Sequence, residues 1–180
     1  MELRIAGVEP ESIVDGPGIR FALFVQGCPH HCEGCHNPQT WDMKGGELVT
    51  TDEVFAMIKD DPLLDGVTFS GGEPFCQCGP LIELADRIRR EYPRFGIMSY
   101  TGFTFEELLE KSTPENGFME LLKRLDGLVD GPFILAQKSL DLKFMGSTNQ
   151  RYLDVQRSLK AGKAVPMKSE WDDIDDIKLV

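Results

Sequence analysis

The chain lacks any long hydrophobic run. Its densest, Phe21 to Val25, falls far below the roughly 18 residues that a membrane span requires, and Met1 to Pro10 has no signal-peptide core. A cytoplasmic protein is the expectation. Positive charge is also scarce: 19 lysines and arginines against 30 aspartates and glutamates leave a formal charge of −11. Such a surface repels phosphate backbones, which argues against nucleic-acid binding driven by counterion release, and a small ligand or a protein partner fits better. Cysteine numbers five, an odd count that in a reducing compartment argues against structural disulfides and for metal binding or catalysis. Repeats and low-complexity linkers are absent, and the 180 residues, 41% hydrophobic and 27% charged, read as one domain over 1–180 with a possible acidic tail at 165–180. In that tail Glu170, Asp172, Asp173, Asp175 and Asp176 read as a solvated run, or as a dock for a basic partner.

Short apolar segments alternate with amphipathic ones. Strands are expected at Ile19–Gln26, Gly66–Ser70, Phe95–Tyr100, Leu125–Asp130 and Lys163–Met167, near-continuous in apolar character, as in a parallel sheet covered on both faces. Between them Leu81, Ile82, Leu84, Ala85 and Ile88 mark one helix face, and Phe118, Leu121, Leu122 and Leu125 mark another at i, i+3, i+4, i+7. Thr50 with Glu53 and Thr104 with Glu107 have capping-box spacing, and Thr113–Pro114 reads as an N-cap followed by a first-turn proline. This alternation predicts right-handed βαβ units. Because a closed eight-fold barrel takes about 250 residues, the expected fold is α/β, an open, partial βα barrel of five to six units on a parallel sheet. Ligands gather at the carboxyl ends of such strands. The loops there are GCPHHCEGCHN (Gly27–Asn37), SGGEP (Ser70–Pro74), SYTG (Ser99–Gly102) and DGPF (Asp130–Phe133), and all are predicted to meet at one rim.

Cys28, Cys32 and Cys35 lie within eight positions, three thiols where a closed zinc site or a fully protein-ligated cubane takes four ligands. Zinc held as Cys₃His with His30, His31 or His36 is one reading. The other is an iron–sulfur cubane with one iron left open, the feature that separates a catalytic metal site from a structural one. Cys76 and Cys78, in PFCQCGP, are predicted on the same rim and could supply a fourth ligand; as two neighbouring thiols they read more simply as partly buried free cysteines. Gly71 and Gly72 allow positive φ and let backbone groups approach a ligand, while Glu73 can accept from an ammonium.

The CxxxCxxC spacing of Cys28, Cys32 and Cys35, followed by GGEP at Gly71–Pro74, resembles the radical S-adenosylmethionine (SAM) superfamily. DGPGIR (Asp15–Arg20) leading into FVQGCPHHCEGCHNPQTWD resembles the activating enzymes of glycyl-radical enzymes. Within that group, YTGFTFEEL (Tyr100–Leu108), LVDGPFI (Leu128–Ile134) and GSTNQR (Gly146–Arg151) resemble activating proteins of anaerobic ribonucleoside-triphosphate reductase. The resemblance runs from about Asp15 to Arg151.

It implies that Cys28, Cys32 and Cys35 bind one [4Fe-4S] cluster whose open iron takes SAM. It further implies nucleoside contacts from Gly34 and His36, an ammonium site at Gly71, Gly72 and Glu73, and ribose or ammonium contacts from Ser99 and Asp130. Asp15–Gly18 would lie near the glycyl loop of the protein substrate; Asn149, Gln150 and Arg151 match the motif without an assigned role. The implied activity is reductive cleavage of SAM to a 5′-deoxyadenosyl radical, which makes a glycyl radical on anaerobic ribonucleoside-triphosphate reductase, with a low-potential donor such as a flavodoxin. No catalytic side chain beyond the cluster ligands is needed, so His30 and His31 read as surface or packing residues. Alternatives are activation of another glycyl-radical enzyme, a radical SAM reaction on a small molecule such as a deazapurine precursor, and a zinc-stabilised interaction module.

Overall fold

The computed structural model describes residues 1–58 and 61–168; the acidic cluster at 170–176 lies outside them. Seven strands form one mixed sheet: β1 (Glu2–Ser12), β2 (Arg20–Val25), β3 (Glu47–Thr50), β4 (Gly66–Gly71), β5 (Gly96–Tyr100), β6 (Gly127–Asp130) and β7 (Arg151–Asp154), in the order β3-β1-β2-β4-β5-β6-β7. Strands β2, β4, β5 and β6 run parallel, in register from Arg20↔Gly66↔Gly96 upward. These are four of the expected strands, displaced by at most two residues. The edges differ from expectation. On one side β1 and β3 pair antiparallel, and on the other β7 runs antiparallel to β6, so the sheet is mixed and its parallel part has four strands rather than five or six units.

Both misread edges have a physical cause. In β1, Leu3 and Ile5 are buried, but register shifts at Ile5/Gly7 and Glu9/Ser12 break the alternation by which a strand is recognised. At the far end, Lys163–Met167 makes only a single bridge, Pro166 to Leu153, because the apolar Leu153 of the polar-looking segment Arg151–Asp154 is what β6 pairs with.

Five helices cover the sheet: α1 (Thr51–Ile58), α2 (Cys78–Glu91), α3 (Phe105–Glu110), α4 (Phe118–Leu122) and α5 (Val155–Ala161). On α2 the buried face is Leu81, Leu84, Ala85 and Ile88, packed with Phe21, Phe69 and Ile97 of the strands. Both capping boxes form: the Thr104 hydroxyl accepts from Glu107 N at 3.2 Å while Glu107 accepts from Thr104 N at 2.9 Å, and Thr50 with Glu53 does the same. Thr113–Pro114 does not start a helix. Thr113 and Asn116 exchange backbone-to-side-chain bonds in a turn, and α4 begins after Gly117. No described helix is long and apolar enough to cross a membrane.

Candidate active site

The cysteine loop leaves β2 and is closed at its neck. Gly27 N donates to Thr40 O at 2.8 Å, Cys28 N to Trp41 O at 3.3 Å, and the Gln26 amide to Asp42 O at 2.7 Å. Inside the neck, Cys35 N bonds Cys32 O and Asn37 N donates to the Cys35 sulfur at 3.4 Å. His31 takes a left-handed φ of 48°, which bends the chain between the first two cysteines. Burial raises the pKa of the Cys28 thiol, and the backbone N–H groups of His30 and His31 oppose that rise.

A cavity of about 550 Å³ opens at the carboxyl ends of the parallel strands. The loop after β2 brings Cys28, Cys32, Cys35 and His36 to it; the end of β4 brings Ser70, Gly71 and Gly72. The end of β5 adds Tyr100–Gly102, and that of β6 adds Gly131 and Phe133. The predicted meeting of four loops at one rim is thus observed. His36 lies against Phe133, ring centroids 5.0 Å apart.

The glycine pair has a reason that the sequence did not show. A Cβ on Gly71, at φ +94°, would stand 2.7 Å from Val25 N, and one on Gly72 would run into the Gly27 carbonyl oxygen. Their bareness lets the end of β4 lie directly on the root of the cysteine loop, where Gly72 N bonds Val25 O and Glu73 N bonds Gly27 O, each at 2.8 Å.

Other expected residues stand behind the cavity wall. Glu73 is fully buried, its carboxylate accepting from Phe75 N, the Thr101 hydroxyl, Gly102 N and His30 Nε2. Ser99 donates to Phe69 O and Tyr100 O. Asp130 accepts from Phe105 N at 2.7 Å, at the start of α3, and from Arg151. Gly34 is exposed and does not line the cavity; at φ +73° a Cβ there would stand 2.8 Å from Leu135. Cys76 and Cys78 do not line the cavity; Cys78 donates to Phe75 O, and burial pushes its pKa up to about 12, away from the thiolate that binds metal.

Sequence reasoning missed the crossing from Pro132 to Gly146, which lines the cavity with Phe133, Leu140, Leu142, Phe144 and Met145. It has no helical or strand period. Its legible signal was the polar cluster that follows: Asn149 donates to Pro132 O at 2.8 Å, and Gln150 accepts from Gly146 N at 2.8 Å while donating to Gly131 O at 3.0 Å. Together with Arg151 on Asp130 and Glu106, these bonds give Asn149–Arg151 the work that the motif alone left open.

A model of the 4Fe-4S single cluster domain matches residues 14–153. The anaerobic ribonucleoside-triphosphate reductase-activating protein of Vibrio cholerae is 37% identical over 147 residues, 78% of this chain and 91% of that protein. Its counterpart in Enterobacteria phage T4 is 33% identical over 150 residues, 80% of this chain and 89% of that protein. The chain belongs to the family of anaerobic ribonucleoside-triphosphate reductase-activating proteins. Pyruvate formate-lyase-activating enzyme from Clostridium pasteurianum is 38% identical over 114 residues, 59% of this chain and 48% of that protein, a likeness that covers less of both chains. The matched stretch coincides with the one over which the motifs resemble the radical SAM activases.

The donor set suits the cluster named by the domain. Three thiols line one cavity, and no other cysteine does. Three thiolates are fewer than the four that a closed zinc site or a fully protein-ligated cubane takes.

Proposed function

We propose that this protein activates anaerobic ribonucleoside-triphosphate reductase by generating a glycyl radical on it. Carrying this reading is the convergence of three thiols and a bare glycine turn on one cavity at the carboxyl ends of β2, β4, β5 and β6. Cys28, Cys32 and Cys35 hold a [4Fe-4S] cluster, which when bound supplies the electron that cleaves SAM reductively and so yields the 5′-deoxyadenosyl radical. Every other task falls to the chain. Backbone groups of Gly71 and Gly72 take the methionyl ammonium, and His36, backed by Phe133, lies beside the nucleoside. Leu142, Phe144 and Met145 keep water from the cavity, which a carbon radical requires. Val14 and Asp15 reach the same cavity, and the Asp15 carbonyl is pinned by the Thr68 hydroxyl at 2.7 Å, which suits the DGPG turn to meeting the partner's glycyl loop.

The sheet is read with this as an open, partial βα barrel acting as one domain, in a cytoplasmic protein served by a low-potential donor such as a flavodoxin. Activation of pyruvate formate-lyase is the second reading, favoured by the Clostridium relative. The test is anaerobic reconstitution with iron and sulfide, then incubation with the reductase, SAM and dithionite. A glycyl-radical EPR doublet on the reductase is expected. A reconstituted protein that cleaves SAM yet leaves the reductase silent, and gives the doublet on pyruvate formate-lyase, would move the assignment to the second reading; one atom of zinc per chain and no iron would end both.

A further inference from the structure

The histidines of the cysteine loop do different things. His31 lies on Trp41, a residue of the loop's own neck. His30 reaches out of the loop: its Nε2 stands 2.7 Å from Oε2 of Glu73. The ring is held on its other sides too. Phe103 meets it edge to face at 4.6 Å, and Gly102 lies so close beneath that a Cβ there would stand 2.7 Å from the ring's Cγ. Glu73, in turn, is fixed by Phe75 N, the Thr101 hydroxyl and Gly102 N. Among the described residues this is the one side-chain hydrogen bond tying the segment Cys28–Asn37 to the end of another strand.

We propose that His30 is a positioning residue for the cluster: the Glu73 carboxylate, turned away from the cavity, acts through His30 to hold the Cys28–Cys32 span in place. A buried carboxylate of the GGEP turn thereby steadies the thiol loop from the ends of β4 and β5. Partners one step behind the ligands typically change metal retention about 10–100-fold when removed. The proposal rests on the cluster assignment above, and its test is arranged to separate the two.

Three variants are compared with the full-length protein. His30→Gln keeps an N–H that can reach Glu73, His30→Asn is one methylene too short, and His30→Leu fills the space without a donor. Hydrogen exchange on the metal-free proteins reads the tether without any cluster. Amides of Cys28–Cys35 are expected to exchange at least about tenfold faster in the Asn and Leu substitutions, with His30→Gln close to wild type. On anaerobically reconstituted protein, iron release to a chelator is expected to quicken about 10–100-fold in the same two, with an altered EPR signal of the reduced cluster, again restored by Gln. Should His30→Leu not fold, the Gln and Asn pair reads the same contrast. Wild-type exchange and wild-type iron release in His30→Asn would overturn the proposal. Wild-type protein that binds no iron would overturn the proposed function, while the exchange result would still decide whether His30 tethers the loop.

Discussion

Replacing Gly72 by alanine tests whether the glycine pair serves the chain's own packing. The added methyl would meet the Gly27 carbonyl and stand 2.9 Å from its carbon. Gly27 cannot step aside freely, since its N–H is bonded to Thr40 O and its carbonyl to Glu73 N, both at 2.8 Å. Overpacking against fixed surroundings costs about 1–3 kcal/mol, and loosening one of these bonds about 1 kcal/mol more. The sum, about 3 kcal/mol, corresponds to a fall in Tm of roughly 6–12 °C for a chain of this size. Urea unfolding of the metal-free, reduced protein reads it without cofactor contributions. Gly79→Ala is the control, because there the nearest atom is the flexible end of Met1, 3.2 Å away on an exposed helix start; it should be neutral or stabilising by about 0.4–1 kcal/mol. A Gly72→Ala protein within about 1 kcal/mol of wild type would refute the packing argument, and if it also failed to bind SAM the missing side chain would be explained by the ligand alone.

Arg151→Met strips Asp130, itself buried, of its charged partner and leaves Phe105 N as its donor; because the arginine side chain is 40% exposed, the expected loss is about 2 kcal/mol rather than the 3–5 of a fully buried pair, measured by chemical denaturation. Leu84→Ala empties a fully packed site on α2 against the sheet and should cost about 3 kcal/mol in the same assay, with iron binding at permissive temperature unchanged. The Cys78 thiol, pushed up from 9.0 to about 12 by burial, keeps its proton in the folded state at pH values where the unfolded chain loses it. Stability therefore falls as pH rises from about 9 to 12, and Cys78→Ser should flatten that limb of a pH–stability curve. Undiminished slope in the serine variant would assign the limb to other groups.

Parallel strands were legible because burial on both faces writes them as unbroken apolar runs, and the rim followed from their direction alone. β1 was not, since its bulges shift the register midway, and β7 was not, since one buried leucine among polar neighbours carries no period. At the site, the cysteine spacing is local and so could be read directly. Apart from Phe75 N, the partners of Glu73 and Asp130 come from 21 to 43 residues away, and nothing in a strand-end acid tells whether it will face a ligand or a backbone amide. Ser99 and Asp130 were placed at the correct strand ends, but their side chains turn inward. His30 was passed over as packing because its partner lies one βα unit later, in a motif whose glutamate had been given to the ligand.

The crossing from Pro132 to Gly146 is moored by the amides of Asn149 and Gln150 and by the Ser147 hydroxyl, which accepts from Ile134 N and donates to Asn149. None of these groups gains or loses a proton in the physiological range. Acidification or a surge of salt, either of which would slacken a roof fastened by ion pairs, leaves these fastenings as they are, so the cover over the cavity keeps its hold across both.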